Sequence, residues 1–178
     1  MLIICIIIFF IGLVFNYHGS GHILTGLSMI LISFWLFRYD IAFKSLKMTG
    51  LHRYIAVNLI SGYSWLLLSG LLLMVTPTLK YIYDATIHAF FLGFTFLMIF
   101  AHGPIILPGI AKINIKPYHP FLYFWGAVLQ ISLLIRLLTD FAEITGLREI
   151  AGLLNMISII GFFLNVLYLM KVKGVRSG

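Results

Sequence analysis

Long apolar runs separated by short polar segments make up most of the chain. A membrane-spanning helix needs about 20 mostly apolar residues, with a range of about 17–25, and six runs approach or reach that length. They cover approximately residues 2–17, 22–37, 54–75, 86–107, 120–138 and 150–170. The runs lack the period-two alternation that is typical of membrane strands. The pattern therefore predicts an all-α class: a polytopic membrane helix bundle with six transmembrane helices, forming one domain over residues 1–178.

The first apolar run needs to be distinguished from a cleaved signal peptide. A signal peptide carries a basic segment at its start and small residues at its cleavage site. This chain starts Met-Leu-Ile-Ile without a charge, and the run ends at Asn16, Tyr17 and His18. We expect a retained helix, joined to the second by a tight turn at Gly19 and Gly21. The abrupt start also agrees with a piece of a longer protein.

The composition supports the membrane class. Hydrophobic residues make up 62% of the chain and charged residues 10%, and the mean hydropathy is +1.10. A soluble domain averages about 45–50% apolar and about 25% charged residues. There are too few polar side chains to cover a water-facing surface, so a soluble globule and a disordered chain fit poorly. The single cysteine, Cys5, excludes an internal disulfide and a cysteine-based metal site.

The basic residues predict an orientation. Membrane proteins keep an excess of Lys and Arg on their cytoplasmic side. With both termini cytoplasmic, nine of the twelve basic residues lie on that side. They are Arg38, Lys44, Lys47, Arg53, Lys112, Lys116, Lys171, Lys173 and Arg176. This asymmetry explains the net charge of +7 without nucleic acid as a partner. We expect the lipid bilayer as the main partner, in a bacterial inner membrane, with anionic headgroup binding as a weaker addition.

The predicted orientation sorts the six histidines into two groups. His18, His22 and His88 fall at the outer side. The inner group is His52, His102 and His119. Neutral imidazole is a common ligand for haem iron, copper and zinc. A polar ring inside a span costs free energy and indicates a functional site by default. The alternative is that these histidines lie at the headgroup level and form ordinary hydrogen bonds.

His88 and His102 belong to the same predicted helix, fourteen residues apart. In a regular α-helix that spacing gives about 40° in azimuth and about 21 Å in height. The two rings would face the bundle near opposite edges of the bilayer, which suits two stacked haem or metal sites. Pro104 and Pro108 follow closely and free backbone carbonyls. His102 bonded to its own interrupted helix is therefore the alternative.

Two arginines are candidate partners for the carboxylates of a cofactor. Arg136 lies near the outer end of the fifth span, where it suits a haem propionate. The alternatives are an ion pair with Asp140 at i, i+4 or extension of the side chain to the interface. Arg53, on the inner side, suits a second propionate, or is an ordinary cytoplasmic charge. Polar residues inside the spans are expected mainly to join helices.

The fourth span carries a distinctive string. Residues 88–99 follow the pattern H-A-x-x-x-G-x-x-x-x-M-I. This string resembles the NnrS family of haem- and copper-containing membrane proteins. Leu134, Ile135 and Arg136 are similar to an L-L-R element in that family's next helix, and the resemblance covers residues 85–170. It implies a haem or copper site with His88 and Arg136 among its residues, and an association with denitrification and protection from nitric oxide.

The leading hypothesis is an integral membrane protein that binds one or two haem b groups, or haem with copper. Its role would be nitric oxide response or transmembrane electron transfer with a membrane redox donor or respiratory partner. One alternative is a non-catalytic small subunit that stabilises a larger respiratory complex. Another is a metal-ion transporter with histidine-lined entry and exit sites. The scarcity of carboxylates inside the spans disfavours that transporter.

Overall fold

A computed structural model describes residues 2–15, 20–75, 81–113 and 115–177. Every regular element in these ranges is helical, which confirms the predicted all-α class. The helices are α1 (Leu2–Val14), α2 (His22–Tyr39), α3 (Ala42–Ser45), α4 (Leu51–Met74), α5 (Ile82–His88), a π-helical segment (Ala89–Thr95), α6 (Phe96–Ile110), α7 (Leu122–Ala142) and α8 (Thr145–Ser177).

Five helices are long and apolar enough to cross a membrane. They are His22–Tyr39, Leu51–Met74, Ile82–Ile110, Leu122–Ala142 and Thr145–Gly174. The predicted first span forms the shorter helix α1, which has 13 residues. At 1.5 Å per residue α1 is about 20 Å long, against a hydrocarbon core of about 30 Å. The proposed turn after it falls partly on residues 16–19, outside the described residues.

Two spans begin earlier than the hydropathy pattern predicts. The third long helix starts at Ile82 and not near residue 86, so it includes Asp84 in its first turn. α8 starts at Thr145 and not near residue 150, so Arg148 and Glu149 are helical. Charged residues expected between helices therefore lie inside helix ends. Their backbone positions are fixed, which brings their side chains into a defined arrangement.

The helices pack around the Ile82–Ile110 helix, which contacts α4 on one side and the α7–α8 pair on the other. α2 packs on α4, and α1 packs on α2. Glycines permit the closest approaches, as at Gly70, where an added Cβ would lie 2.8 Å from the carbonyl oxygen of Gly26. On the other side, the rings of Phe100 and Phe162 stack with centroids 3.9 Å apart.

Buried polar side chains join neighbouring helices, as expected for residues of this type. The Ser33 hydroxyl on α2 donates to the Tyr63 carbonyl on α4 at 2.7 Å. The Ser158 hydroxyl on α8 donates to the Trp125 carbonyl on α7 at 2.6 Å. Asn58, by contrast, donates to the Tyr54 carbonyl of its own helix at 2.9 Å. The helix-joining interpretation therefore holds for some of these residues and not for all.

The π-helical segment interrupts the third long helix directly after His88. Gly93 lies in it, where an added Cβ would come within 2.7 Å of three Trp65 atoms on α4. A π turn contains more residues than an α turn, so each residue rotates the chain by a smaller angle. Such segments are frequent at functional sites. The azimuth calculated for a regular helix therefore does not apply between His88 and His102.

Candidate functional site

Four charged side chains from three helices meet at the predicted outer end of the bundle, in what we call the outer ionic cluster: Asp84 of α5, Arg136 and Asp140 of α7, and Arg148 of α8. The Arg148 guanidinium contacts the Asp84 carboxylate through Nη2 and reaches Asp140 Oδ1 through Nε at 2.7 Å. Arg136 Nη2 lies 3.4 Å from Asp84 Oδ2. Two positive and two negative charges thus neutralise one another.

Burial makes these pairings important to stability. Asp140 is only 3% exposed, and a carboxylate in such a place needs a charge partner. The guanidinium of Arg148 supplies it and also lies over the Tyr81 ring, with Cζ 4.4 Å from the centroid. Arg148 is thus held between two carboxylates and an aromatic face. It fastens the start of α8 to both α7 and α5.

The Arg136–Asp140 ion pair, one of the alternatives for Arg136, is not among the ion pairs of the described residues. Asp140 faces Arg148 across the short connection between α7 and α8, and Arg136 faces Asp84 on a different helix. The i, i+4 rule considers only neighbours on one helix, whereas tertiary packing offers each side chain a better partner here. Sequence reasoning missed Asp84 as a site residue. The signal available in the sequence was that Asp84 precedes His88 by four residues, about one helical turn.

His88 lies at the junction of α5 and the π segment, beside the outer ionic cluster. Its Nδ1 lies 2.7 Å from the Asp84 carbonyl oxygen and 3.4 Å from Asp84 Oδ1. A proton on Nδ1 is donated to that carbonyl, which leaves Nε2 as the ring atom with a lone pair. Metal-ligating histidines are commonly oriented in this way by a carbonyl or a carboxylate. The imidazole is half-buried, with 23% of its side chain exposed.

A cleft of about 260 Å³ lies beside His88, and we call it the outer cleft. Its lining residues are His88, Leu92, Arg136, Gly152, Asn155, Met156, Ile159 and Ile160. Arg136 Nε and Asn155 Nδ2 are buried there without a hydrogen-bond partner. Gly152 leaves room for the arginine, because an added Cβ would lie 2.6 Å from Arg136 Nη1. Two buried N–H donors therefore remain unsatisfied on residues that line a mostly apolar cleft.

Asn155 has a fixed orientation. It is 3% exposed, and its Oδ1 accepts a hydrogen bond from the Ser132 hydroxyl of α7. With the oxygen occupied in this way, Nδ2 is the free end of the amide. A buried donor without a partner costs about 1–3 kcal/mol. That cost is removed when a ligand with an acceptor oxygen binds beside it.

The outer cleft, at about 260 Å³, is smaller than a whole haem, but its residues supply groups that part of a haem would contact. The imidazole of His88 offers an iron ligand, and Arg136 Nε and Asn155 Nδ2 offer donors to carboxylate oxygens. Leu92, Met156 and Ile159 form apolar walls. Of these three side chains, a copper ion would be bound only by the His88 imidazole. The N–H donors of Arg136 and Asn155 would then stay unsatisfied. The donor set therefore agrees better with a ligand that carries acceptor oxygens.

The remaining histidines have different surroundings. His22 is half-buried at the start of α2, and His18 lies outside the described residues. His52, His102 and His119 are exposed. His102 Nδ1 bonds to the Met98 carbonyl oxygen of its own helix at 2.8 Å. His119 Nδ1 accepts the Phe121 backbone N–H at 3.1 Å, at the start of α7.

The structure therefore does not give His88 and His102 a common face. His88 is half-buried within the bundle and His102 is exposed, because the π segment lies between them. Arg53 is also exposed, and it lines a separate cleft with Tyr118 and Tyr123. Within residues 2–15, 20–75, 81–113 and 115–177, no three His, Cys, Asp or Glu side chains form a group suited to a metal ion.

Five helices long and apolar enough to cross a membrane are the features of a polytopic helical membrane protein, and the outer ionic cluster lies at one end of this bundle. The chain belongs to the family described as domain of unknown function DUF8744, whose model matches residues 1–171. No curated protein and no solved structure matches it.

Proposed function

We propose that this protein is an integral membrane haem b protein with its cofactor in the outer cleft. His88 Nε2 is the proposed iron ligand, and Arg136 and Asn155 hold the propionates. The observation that carries the proposal is the pair of unsatisfied N–H donors, on Arg136 and Asn155, beside an imidazole oriented by Asp84. The resemblance of residues 88–99 to the NnrS string supports the same cofactor.

One haem at the outer end is favoured over two stacked haems. At the inner end His52, His102 and His119 are exposed, and two of these rings bond to backbone groups of neighbouring residues. A single cofactor at one side is poorly suited to carry electrons across the whole bilayer. We therefore favour binding of a diatomic ligand such as nitric oxide, or electron exchange at the outer surface.

The number of histidines that would hold the iron decides between these roles. His22 at the start of α2 and His18 are the other histidines on the predicted outer side. If one of them also bound the iron, the site would suit electron transfer. If neither did, the site would suit the binding of a diatomic ligand.

The proposed orientation places both termini in the cytoplasm of a bacterial cell, with α1 completing six spans. Lys171→Cys and Thr145→Cys, each in a Cys5→Ser background, test it with a membrane-impermeant maleimide. We expect Thr145→Cys to react on intact cells and Lys171→Cys to react only after lysis. The reverse result would overturn the orientation and leave the haem proposal unaffected.

The haem proposal is tested by expression in haem-replete bacteria and purification in a mild detergent. A reduced-minus-oxidised spectrum of b type is expected for the wild-type protein. His88→Ala should lose it, whereas His102→Ala should keep it, because His102 is exposed and lines no part of the outer cleft. Loss of the spectrum in both variants equally would contradict the assignment of His88.

A metal analysis of the same preparations separates the other hypotheses. Colourless protein that retains stoichiometric zinc or copper would favour the transporter. Colourless, metal-free protein of normal stability would favour the non-catalytic subunit. A second haem protein expressed in the same cells shows whether haem supply is sufficient. If that control protein is loaded with haem and this protein is colourless, the haem proposal is contradicted.

A further inference from the structure

A second cleft lies at the opposite end of the bundle, between the start of α4, the end of α6 and the segment that follows α6. It has a volume of about 420 Å³, and we call it the inner cleft. Its lining residues are Leu51, His52, Pro104, Ile105, Pro108, Gly109, Ile113, Ile115 and Lys116. Because its residues are separate from those of the outer cleft, its role is independent of the proposed haem.

The lining of the inner cleft is amphipathic and has one sign of charge. His52 and Lys116 are both exposed and offer N–H donors. The other lining residues are apolar or glycine, and no carboxylate is among the described residues that line it. The apolar wall of the cleft runs along α6, where Ile105 is exposed and Pro108 is buried. The cleft therefore combines a cationic end with an apolar wall.

The apolar wall continues onto the lipid-facing surface. Ile105 and Ile106 are each 52% exposed, and Ile110, one turn further on, is 74% exposed. In a helix that crosses a membrane such side chains contact acyl chains. An occupant of the inner cleft can therefore enter sideways from the bilayer, with its apolar part remaining on α6.

The cationic end is held in place by the C-terminal helix. Lys173 Nζ on α8 donates to the carbonyl oxygens of Lys116 at 3.2 Å and Tyr118 at 2.9 Å. These bonds fix the extended segment that carries Lys116 against the bundle. They also place a second ammonium group near the same segment, which adds to its positive potential.

We propose that the inner cleft binds an anionic phospholipid. Lys116 and His52 contact the phosphate, and an acyl chain lies along Ile105 and Pro108. A headgroup with a net negative charge is favoured over a zwitterionic one, because no described carboxylate in the lining receives a choline or ethanolamine cation. Basic pockets between transmembrane helices commonly bind anionic headgroups on the cytoplasmic side. The predicted orientation places this cleft there.

The test compares thermal unfolding of the purified full chain in neutral detergent with added phosphatidylglycerol or phosphatidylcholine of identical acyl chains. We expect phosphatidylglycerol to raise the midpoint by several degrees more than phosphatidylcholine. Lys116→Ala combined with His52→Ala should abolish most of this difference. Lys44→Ala is the matched control, because Lys44 is an exposed inner basic residue that lines no described cleft.

Each outcome decides the proposal. Equal stabilisation by the two lipids would overturn it, as would an unchanged lipid preference in the double variant. A loss of preference in Lys44→Ala equal to that in the double variant would show general surface attraction and would also overturn it. Stabilisation by glycerol phosphate equal to that by the lipid would assign the site to a free phosphate compound. If the double variant fails to fold, Lys116→Gln alone with native mass spectrometry of retained lipid gives the same comparison.

Discussion

The two ends of the bundle treat charge in opposite ways. At the outer end two arginines and two aspartates from three helices close on one another. At the inner end Arg53 and Lys116 are exposed, and Lys173 binds backbone carbonyls. The first arrangement neutralises its charges within the protein. The second leaves positive charge available to the membrane surface.

The difference follows from the packing around each charge and not from its position along the helix. Asp84 and Arg53 are each the third residue of their helices, α5 and α4. Asp84 lies against α7 and α8, where Arg136 and Arg148 pair with it, whereas Arg53 is exposed. An ionised group that is held between helices is costly unless it is paired. The neighbouring helices therefore decide whether a charge must find a protein partner.

The largest effect is expected from Asp84→Asn, which removes one negative charge from beside two arginines. Breaking a buried ion pair costs about 3–5 kcal/mol, and we expect the lower end of that range because Asp84 is 34% exposed. Asp40→Asn is the inner counterpart, since the Asp40 carboxylate faces no Lys or Arg among the ion pairs of the described residues: it accepts the Ala42 backbone N–H at 2.7 Å and a hydrogen bond from the Tyr63 hydroxyl. Its expected cost is about 1 kcal/mol. Denaturant unfolding in mixed micelles measures the free energy of unfolding of both variants. Equal losses in the two would contradict the proposed difference between the two ends of the bundle.

Gly152→Ala should have an intermediate effect. The new methyl group would displace the Arg136 guanidinium from its place beside Asp84, since a Cβ there lies 2.6 Å from Nη1. We expect a loss of about 1–2 kcal/mol in stability and a lower haem content at equal haem supply. Gly146→Ala is the control, because a Cβ at Gly146 meets no atom within 4 Å. A full haem content in Gly152→Ala would show that the position of Arg136 is unimportant for the cofactor.

Asn155→Leu separates ligand binding from stability at the outer cleft. It removes the unsatisfied Nδ2, and the single Ser132 hydroxyl proton, released from Asn155 Oδ1, is donated instead to the Val128 carbonyl oxygen 2.7 Å away. We expect the cofactor-free protein to change by less than about 1 kcal/mol, while retention of haem during dialysis falls several-fold. A large loss of stability without any change in haem retention would assign Asn155 a structural role only.

Salt should produce the smallest change and affect the two ends differently. Raising ionic strength from 0.1 to 1 M shortens the screening length from about 10 Å to about 3 Å. The preference for phosphatidylglycerol should weaken, because Lys116 is exposed. The penalty of Asp84→Asn should persist, because partly buried pairs are screened much less. Thermal unfolding at the two salt concentrations checks both expectations, and equal screening at the two ends would contradict them.

Much of the fold was predictable from the sequence because membrane spans are determined by local composition. Five of the six predicted runs correspond to helices long enough to cross the bilayer. Helix starts were less predictable, since α5 and α8 extend through charged residues that hydropathy assigns to connections. Those residues are accommodated at helix ends because two aspartates and two arginines neutralise one another in the outer ionic cluster. That compensation depends on contacts between helices and has no signature in a hydropathy window.

The candidate site was predictable in part. His88 and Arg136 stood out as costly polar residues, and the structure places both at the outer cleft. Asn155 was interpreted as a residue that joins helices, which its oxygen does, while its nitrogen faces no partner. The prediction that His88 and His102 share one helix face is wrong, because the π segment between them changes the rotation per residue. Neither the orientation of an amide nor a local π turn follows from residue spacing.

The amino-acid sequence by itself determined the helical membrane class, the approximate spans and an excess of basic residues toward one end, because these depend on length, hydropathy and charge along the chain. Only the tertiary structure decided which charges pair, which histidines are exposed and where polar atoms lie unsatisfied. Those properties depend on the azimuths and depths of neighbouring helices. Packing sets them through contacts such as those of Gly93 with Trp65 and Arg148 with Asp84.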